Sequence, residues 1–473
     1  MRVSLLCKLV AAATVVLVIS QIALEVFLND EESWLFPSLE LNTSEDIIQL
    51  YEEVAVPVVV WWAPLGGIQH SGRWSQCGQL SCFFTNVPRF RNHPNLKGFL
   101  FYGTSINWTD LPLPRAGPSV FWALLHEESP RNNIPLSHAS VISLFNYTST
   151  FSRYSDVPTT TQFLSSIKSL TDMKHFETVE AKNGYQKNQS WQLAPVVYIQ
   201  TDCSTPLDRD SYVAELSKYI RVDSYGRCLH NRNLPPHLQS PFTLRTMMSD
   251  DLLDIVGKYK FAVAFENGVC DDYITEKLWR PLISGAVPIY IGSPTVSDWL
   301  PNNRSAILAL DFESPKHLAE YLVYLNSHDD EYNSYLSHKL QASLTNSRLI
   351  QDLNQRQDDS YEDNFLNKFE CFICKKAHEK NPEISIASNK HYSCEMPKSI
   401  VTRQPNVTNY WLDWWFLGRC EAKTVRKFID LGVANYTIEE YNNAVREMTF
   451  QNKCKYSEEN AKELHLEQAE SQG

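Results

Sequence analysis

Positive charge is the first thing this chain is short of. Its 43 lysines and arginines are outnumbered by 55 aspartates and glutamates, leaving a net charge of −12. No stretch supplies a basic groove along which a phosphate backbone would lie, so nucleic acid is excluded as a partner. There is no internal repeat, no low-complexity tract and no C-terminal retention tetrapeptide, which leaves an ordinary globular chain. Hydrophobic residues at 43%, with 12% aromatic, are ample for buried cores, and 473 residues are enough for two domains and additional segments.

A clean cleavage site is missing at the N-terminus as well. Arg2 and Lys8 precede an apolar run from Leu9 to about Leu28, interrupted by Thr14, Ser20, Gln21 and Glu25, and no small-residue cleavage pattern follows it. With the positive charges on the N-terminal side, residues 1–28 read as a cytosolic tail and single-pass signal-anchor that places the rest in the lumen of the Golgi, with the endoplasmic reticulum as the alternative. Glycosylation sequons at Asn42, Asn107, Asn188, Asn303, Asn406 and Asn435 agree with that topology. A seventh, Asn146, falls at a buried strand end and is expected to stay unmodified. Beyond Cys7 the chain holds ten cysteines, an even number suited to disulfides in an oxidising compartment. Cys270 reads as a buried free thiol.

Residues 29–46 form a short acidic stem. From 47 to 190 the pattern is that of an α/β domain: strands at Val54–Trp62, Gly98–Gly103, Phe121–Leu125 and Val141–Phe145, a polar loop from Gln69 to Cys82, and an interdomain connection in Phe163–Ser190. Residues 191–370 alternate strand and helix regularly, with strands at Ala194–Ile199, Val222–Tyr225, Lys260–Phe265, Ala286–Ile291 and Ala306–Leu310. The predicted helices there are Pro206–Tyr219, Asp250–Tyr259 and Pro315–Leu325, the alternation of a Rossmann-like domain. Residues 371–473 are a cysteine-containing extension with Trp411, Trp414, Trp415 and an acidic tail. Its Cys371-x-x-Cys374 would need two more soft ligands to hold zinc, and only His391 and Cys394 are near in sequence, so structural disulfides are favoured and no metal site is assigned. Cys203 and Cys228 flank one predicted helix and suit a bridge within the second domain.

Two stretches carry chemistry. The segment from Phe265 to Pro281 leaves a buried strand, crosses a polar turn and starts a helix that puts Tyr273, Glu276, Lys277 and Arg280 on one face. An acid, a base and an aromatic beside a helix N-terminus suit a nucleotide, with ribose hydroxyls on the carboxylate and phosphates on the cation. A Glu-Lys pair on a helix is, taken alone, most often a solvated face. The second stretch is His126-Glu127-Glu128-Ser129-Pro130 at a strand end. Period-two alternation sends only one of its glutamates into a cleft, and Pro130 stops the strand beside it.

The string Asp272-Tyr273-Ile274-Thr275-Glu276-Lys277-Leu278-Trp279, preceded by Phe265-Glu266-Asn267, closely resembles the donor-binding signature of the α1,3-fucosyltransferases, glycosyltransferase family 10. The resemblance spans roughly Val54 to Cys374, and His126–Pro130, Asp223–Gly226 and Cys270–Lys277 resemble the divergent fucosyltransferase 10 and 11 branch. It implies a GT-B fold, two Rossmann-like domains facing a cleft, and inverting transfer of fucose from GDP-fucose with no cofactor required. Glu128 matches the position of the catalytic base, leaving Glu127 outward-facing or supporting. Arg209 and Lys277 are implied to contact the diphosphate, and Tyr273 and Glu276 to line the nucleotide site. Asn267 binds donor or holds the turn, and Arg153 acts between the domains unless it simply pairs with Asp156. Cys77 and Cys82 are implied to bridge to Cys371 and Cys374. Asp208-Arg209-Asp210 spells the Asp-X-Asp of metal-dependent transferases, but it precedes a helix and Arg209 already supplies the charge a metal would. The implied acceptor is a lumenal glycoprotein, by α1,3 linkage to GlcNAc of N-glycans. The alternative is O-fucosylation of Ser or Thr in EMI-type modules, and a remote alternative is an inactive lumenal binder. The tail with Cys420 and Cys454 departs from the family and is a candidate for acceptor recognition.

Overall fold

The computed structural model describes residues 39–40 and 44–454, apart from 66–70, 116, 118–119, 165, 189–191, 240–243, 356–364, 381–384, 404–409 and 452–453. The predicted anchor over 1–28 lies outside the described residues. Among those described, no helix is long and apolar enough to cross a membrane.

Seven strands form the first sheet: β1 (Leu39–Glu40), β2 (Val58–Ala63), β3 (Ser71–Cys77), β4 (Leu80–Thr85), β5 (Leu96–Tyr102), β6 (Phe121–His126) and β7 (Tyr147–Thr150). Their order is β1-β3-β4-β2-β5-β6-β7, parallel from β4 to β7, with β3 and β1 added antiparallel at one edge. The near-continuous apolar run of β2 is explained by its central place, since Val58, Val59 and Val60 are fully buried. The second sheet is wholly parallel, in the order β12-β11-β10-β8-β9, with β8 at Val196–Ile199, β9 at Val222–Tyr225, β10 at Phe261–Phe265, β11 at Val287–Ile291 and β12 at Ile307–Leu308.

Two predicted elements come out differently. Gln69–Cys82 is not a loop but largely the β3–β4 hairpin, turning at Gly78 with φ +67°. Its first strand is polar because, past Gly72, it is paired only with β4 and runs along the open margin of the sheet, with Trp74 turned outward. Val141–Phe145 is not a strand: Ala139–Ile142 is a short helix, and the strand lies beyond it. That strand is too polar to recognise, because Thr148 and Thr150 are buried with their amides bonded to Asp156 and Ser155 side chains.

The chain then returns to the first sheet. Helix Phe365–His378 lies against β3 and β4, where Glu370 accepts from Trp61 Nε1 at 2.8 Å and pairs with Arg73. Bridges Cys77–Cys371 and Cys82–Cys374 fasten it there, and Cys203–Cys228 closes within the second sheet's half. Cys270, expected free, is bonded to Cys394, and Cys420 to Cys454. Cys82, Cys374 and His378 approach one another closely enough to resemble a metal site, but the two sulfurs are joined and offer no thiolate. Non-reducing peptide mapping should recover these five pairs, and a peptide joining Cys371 to Cys374 would contradict the arrangement. Losing either long bridge, which closes 294 or 292 residues, should destabilise the protein by about 2–5 kcal/mol. Of the sequons, Asn107, Asn188, Asn303 and Asn435 are exposed, whereas Asn42 and Asn406 lie outside the described residues. Asn146 is buried, its Oδ1 accepting from Trp122 N and its Nδ2 donating to Ser385 O.

Candidate active site

β10 ends in a buried carboxylate. Glu266 is 0% exposed and accepts from Thr275 N at 2.8 Å and Thr275 Oγ1 at 2.7 Å. Thr275 caps the helix Glu276–Ser284, so the helix start predicted to welcome a phosphate already holds the protein's own Glu266. Tyr273 precedes the helix and does not share its face, as the helical spacing had implied. A left-handed Asp272 (φ +63°) turns the chain just before it, and the Tyr273 hydroxyl donates to Asn267 Oδ1 at 2.9 Å.

Lys277 points back over this turn. Its Nζ lies 3.0 Å from Thr275 Oγ1, 3.1 Å from Glu276 Oε1 and 3.5 Å from Glu266 Oε2. Burial alone would pull its pKa down, but Glu276 and Glu266 outweigh burial and hold it above the ordinary lysine value. Burial likewise pushes Glu276 up, while Lys277 and Arg280 more than compensate and keep it ionised. Arg209 is 1% exposed: Nη1 donates to Phe265 O at 3.0 Å, and Nη2 to Gln200 Oε1 at 2.7 Å and Asp202 O at 2.9 Å. Its Nε is buried without a partner. The guanidinium is thus mostly spent on backbone and on Gln200, yet its charge is near enough to act on Lys277. The flanking acids are engaged locally, Asp208 accepting from Ser211 and Asp210 from Tyr198.

Glu128 faces this cluster from the end of β6. The Tyr273 hydroxyl lies 3.5 Å from Glu128 Oε2, longer than an ordinary O–H···O bond. Tyr392, from the returning C-terminal segment, donates its hydroxyl to the Glu128 carbonyl at 2.6 Å. Burial raises the Glu128 pKa, opposed by Lys277 and reinforced by Glu276, so the carboxylate senses both residues across the cleft. Glu127 does not face outward. Its Oε1 accepts from Tyr102 at 3.0 Å, Oε2 is buried without a partner, and burial with the Glu128 charge pushes it up to about 7.

The structure therefore brings Glu128, Asn267, Tyr273, Glu276, Lys277 and Arg209 to one place. Arg153 is committed elsewhere: Nε and Nη2 grip Asp272, Nη1 pairs with Asp298 at 2.7 Å, and the guanidinium lies over Trp299. Asp156, its expected partner, instead caps Thr148 N. Sequence reasoning missed Glu266, Tyr392 and Arg131. Only Glu266 had a signal, an acid closing an apolar strand. A carboxylate opposite a lysine, with a second buried carboxylate at the carboxyl end of a central parallel strand, fits single-displacement transfer from an anionic leaving group.

Comparison with known proteins narrows this. Residues 188–392 match the family described as "Glycosyltransferase family 10 (fucosyltransferase) C-term". A Bos taurus protein named GDP-fucose protein O-fucosyltransferase 3 is 44% identical over 401 residues, covering 81% of this chain and 82% of its own length. The chain belongs to glycosyltransferase family 10. The Homo sapiens protein of the same name is 43% identical over 408 residues, covering 83% of each chain. A solved α1,3-fucosyltransferase with GDP shares 13% identity over 70% of this chain and 93% of its own, with a TM-score of 0.40. The family's donor is GDP-fucose, and its signature here covers the β10 end and the Thr275-capped helix. The relatives bear the protein O-fucosyltransferase 3 name, not that of the fucosyltransferase 10 and 11 branch expected from the motif strings.

Proposed function

We propose that this enzyme transfers L-fucose with inversion from GDP-fucose to a Ser or Thr hydroxyl of a folded protein, with Glu128 as the general base. The observation that carries the chemistry is Glu128 on one side of the cleft standing opposite Lys277 and Tyr273 on the other. Glu128 takes the acceptor proton, while Lys277 and the neighbouring Arg209 charge stabilise the departing diphosphate. Tyr273 and Asn267 orient the reacting groups, and Glu276 is placed for the nucleotide. The protein acceptor is supported by the names of relatives 43–44% identical over most of the chain. The expected α1,3 linkage to N-glycan GlcNAc gives way to this alternative for that reason. An intact base, cation and turn speak against an inactive binder.

No cofactor enters this reading, since Arg209 and Lys277 supply the positive charge beside the diphosphate position; Asp208 and Asp210 each accept one local hydrogen bond, from Ser211 and Tyr198. Five disulfides fit an oxidising lumen, and the apolar run before Leu28 is the proposed Golgi or endoplasmic reticulum anchor. The test is labelled GDP-fucose offered in parallel to a folded EMI module and to an N-glycan bearing terminal GlcNAc, each with and without chelator. Label on the module, unchanged by chelator, is the expected outcome. Label on the glycan alone would restore the α1,3 reading, and loss in chelator would reinstate a metal.

A further inference from the structure

Beside the base lies a cleft that the donor chemistry does not use. Its walls come from Arg131, Leu207, Gly268, Met396, Trp411 and Trp415. These residues come from the loop after Glu128, the second sheet's half, the Cys394 segment and the helix Tyr410–Asp430. We propose that this cleft and the aromatic start of that helix form the docking surface for the acceptor, and that the occupant is an apolar, uncharged loop of a folded protein. The proposal rests on the function given above and adds the surface that selects the substrate.

Arg131 makes the cleft continuous with the base. Its charge acts on the Glu128 carboxylate, its guanidinium lies over the Trp411 ring at 5.7 Å, and its Nη2 pairs with Asp202 at 2.8 Å. An acceptor whose hydroxyl reaches Glu128 therefore has this wall within one side chain's length. The wall is aromatic and ordered in advance. Tyr410, Trp411 and Trp414 contact one another with ring centroids 5.2–5.3 Å apart. The Tyr410 hydroxyl and Trp411 Nε1 both bond to Ser204 Oγ across the cleft. Three bridges lie in the elements that form the walls: Cys203–Cys228 next to Ser204 in sequence, Cys270–Cys394 with Cys394 two residues before Met396, and Cys420–Cys454 with Cys420 in the helix Tyr410–Asp430.

Rigid tyrosine and tryptophan at a rim are what protein interfaces use as anchors, because they bury much area at little entropic cost. Tyr410 remains 42% exposed and Trp414 half-buried, so both have area left to cover. Of the charges beside the cleft, Asp202 is paired with Arg131 and Glu395 with Lys398. With those charges already paired and the walls apolar and aromatic, the fitting partner is an apolar, uncharged loop.

The experiment compares the full-length enzyme with a Tyr410→Ala, Trp414→Ala double variant and a Tyr410→Phe, Trp414→Phe control. Each is assayed for KM toward the folded EMI module, KM for GDP-fucose and donor hydrolysis by water. The alanine variant is expected to raise acceptor KM about 10- to 30-fold, leave both donor readouts within twofold, and be rescued by the phenylalanine control. An unchanged acceptor KM would overturn the proposal. So would an equal fall in hydrolysis, which would make the aromatics structural, or an equal KM rise for a small glycan, which would make the occupant a sugar. If the wild type transfers nothing to the module, the proposed function fails first, a different result from any of these.

Discussion

Glu128→Gln is expected to lower transfer by about 100- to 10,000-fold, the usual contribution of a positioned base, while GDP binding stays within a few-fold of normal. The amide keeps the shape at the end of β6 but cannot take the acceptor proton, and the Tyr273 hydroxyl lies 3.5 Å away. Single-turnover transfer and GDP titration read the two effects separately, and surviving transfer would place the base elsewhere. The pH profile follows from the same environment. Burial raises the Glu128 pKa, and a base works only ionised, so kcat/KM should fall with decreasing pH along a limb displaced upward from ordinary glutamate. Glu127, pushed to about 7, titrates close by, and its ionisation makes Glu128 more basic. Glu127→Gln should therefore retain transfer and remove an inflection near neutrality.

The second large effect is expected at Asp272, which is 1% exposed and bonded at once to Arg153, Thr295 Oγ1 at 2.7 Å and Trp299 Nε1 at 2.9 Å. Asp272→Asn keeps the left-handed turn that asparagine tolerates but leaves the Arg153 charge with only Asp298. Removing one partner of a buried pair costs roughly 3–5 kcal/mol, and the partial exposure of Arg153 places the loss at the lower end. Calorimetry should show the fall in unfolding midpoint, and an unchanged midpoint would mean the clamp contributes nothing. Burial raises the Asp272 pKa, but its bonds to Arg153 more than offset this and hold it below the usual carboxylate value. The stabilisation is thus complete above the unfolded carboxylate pKa and lost as pH falls through the folded one. The gap between variant and wild type should close in acid and persist at neutrality.

Arg153 also shows where sequence reading stopped. The string around it matches a family pattern, but nothing local says whether its guanidinium reaches a diphosphate, Asp156 or Asp272, a partner 119 residues away. Cys270 and Cys394, 124 apart, present the same difficulty. Signals confined to one window were legible: the alternation of the second domain, the strand–turn–helix that carries Lys277, and the glutamate pair ending β6. Each rests on the period of a strand or helix and on the chemistry of its last residues. Tyr273 was misplaced by a few positions, because Thr275 and Glu266 together decide where the helix starts. The polar β3 and β7 were hidden, because a strand along the open margin of a sheet or one satisfied by hydrogen bonds carries no hydrophobic alternation.

By itself, then, the sequence determined the donor half's order of elements, the excess of acid that excludes nucleic acid, and the residue types that transfer requires. Only the tertiary structure decided which glutamate meets Lys277, that Glu266 occupies the helix start, and that Trp411 stands against Arg131 beside Glu128. The first and last are outcomes of packing between segments far apart in the chain, and the second of a buried carboxylate folding back on its own turn; in each, burial and charge pairing select one arrangement among many that local preference leaves equal.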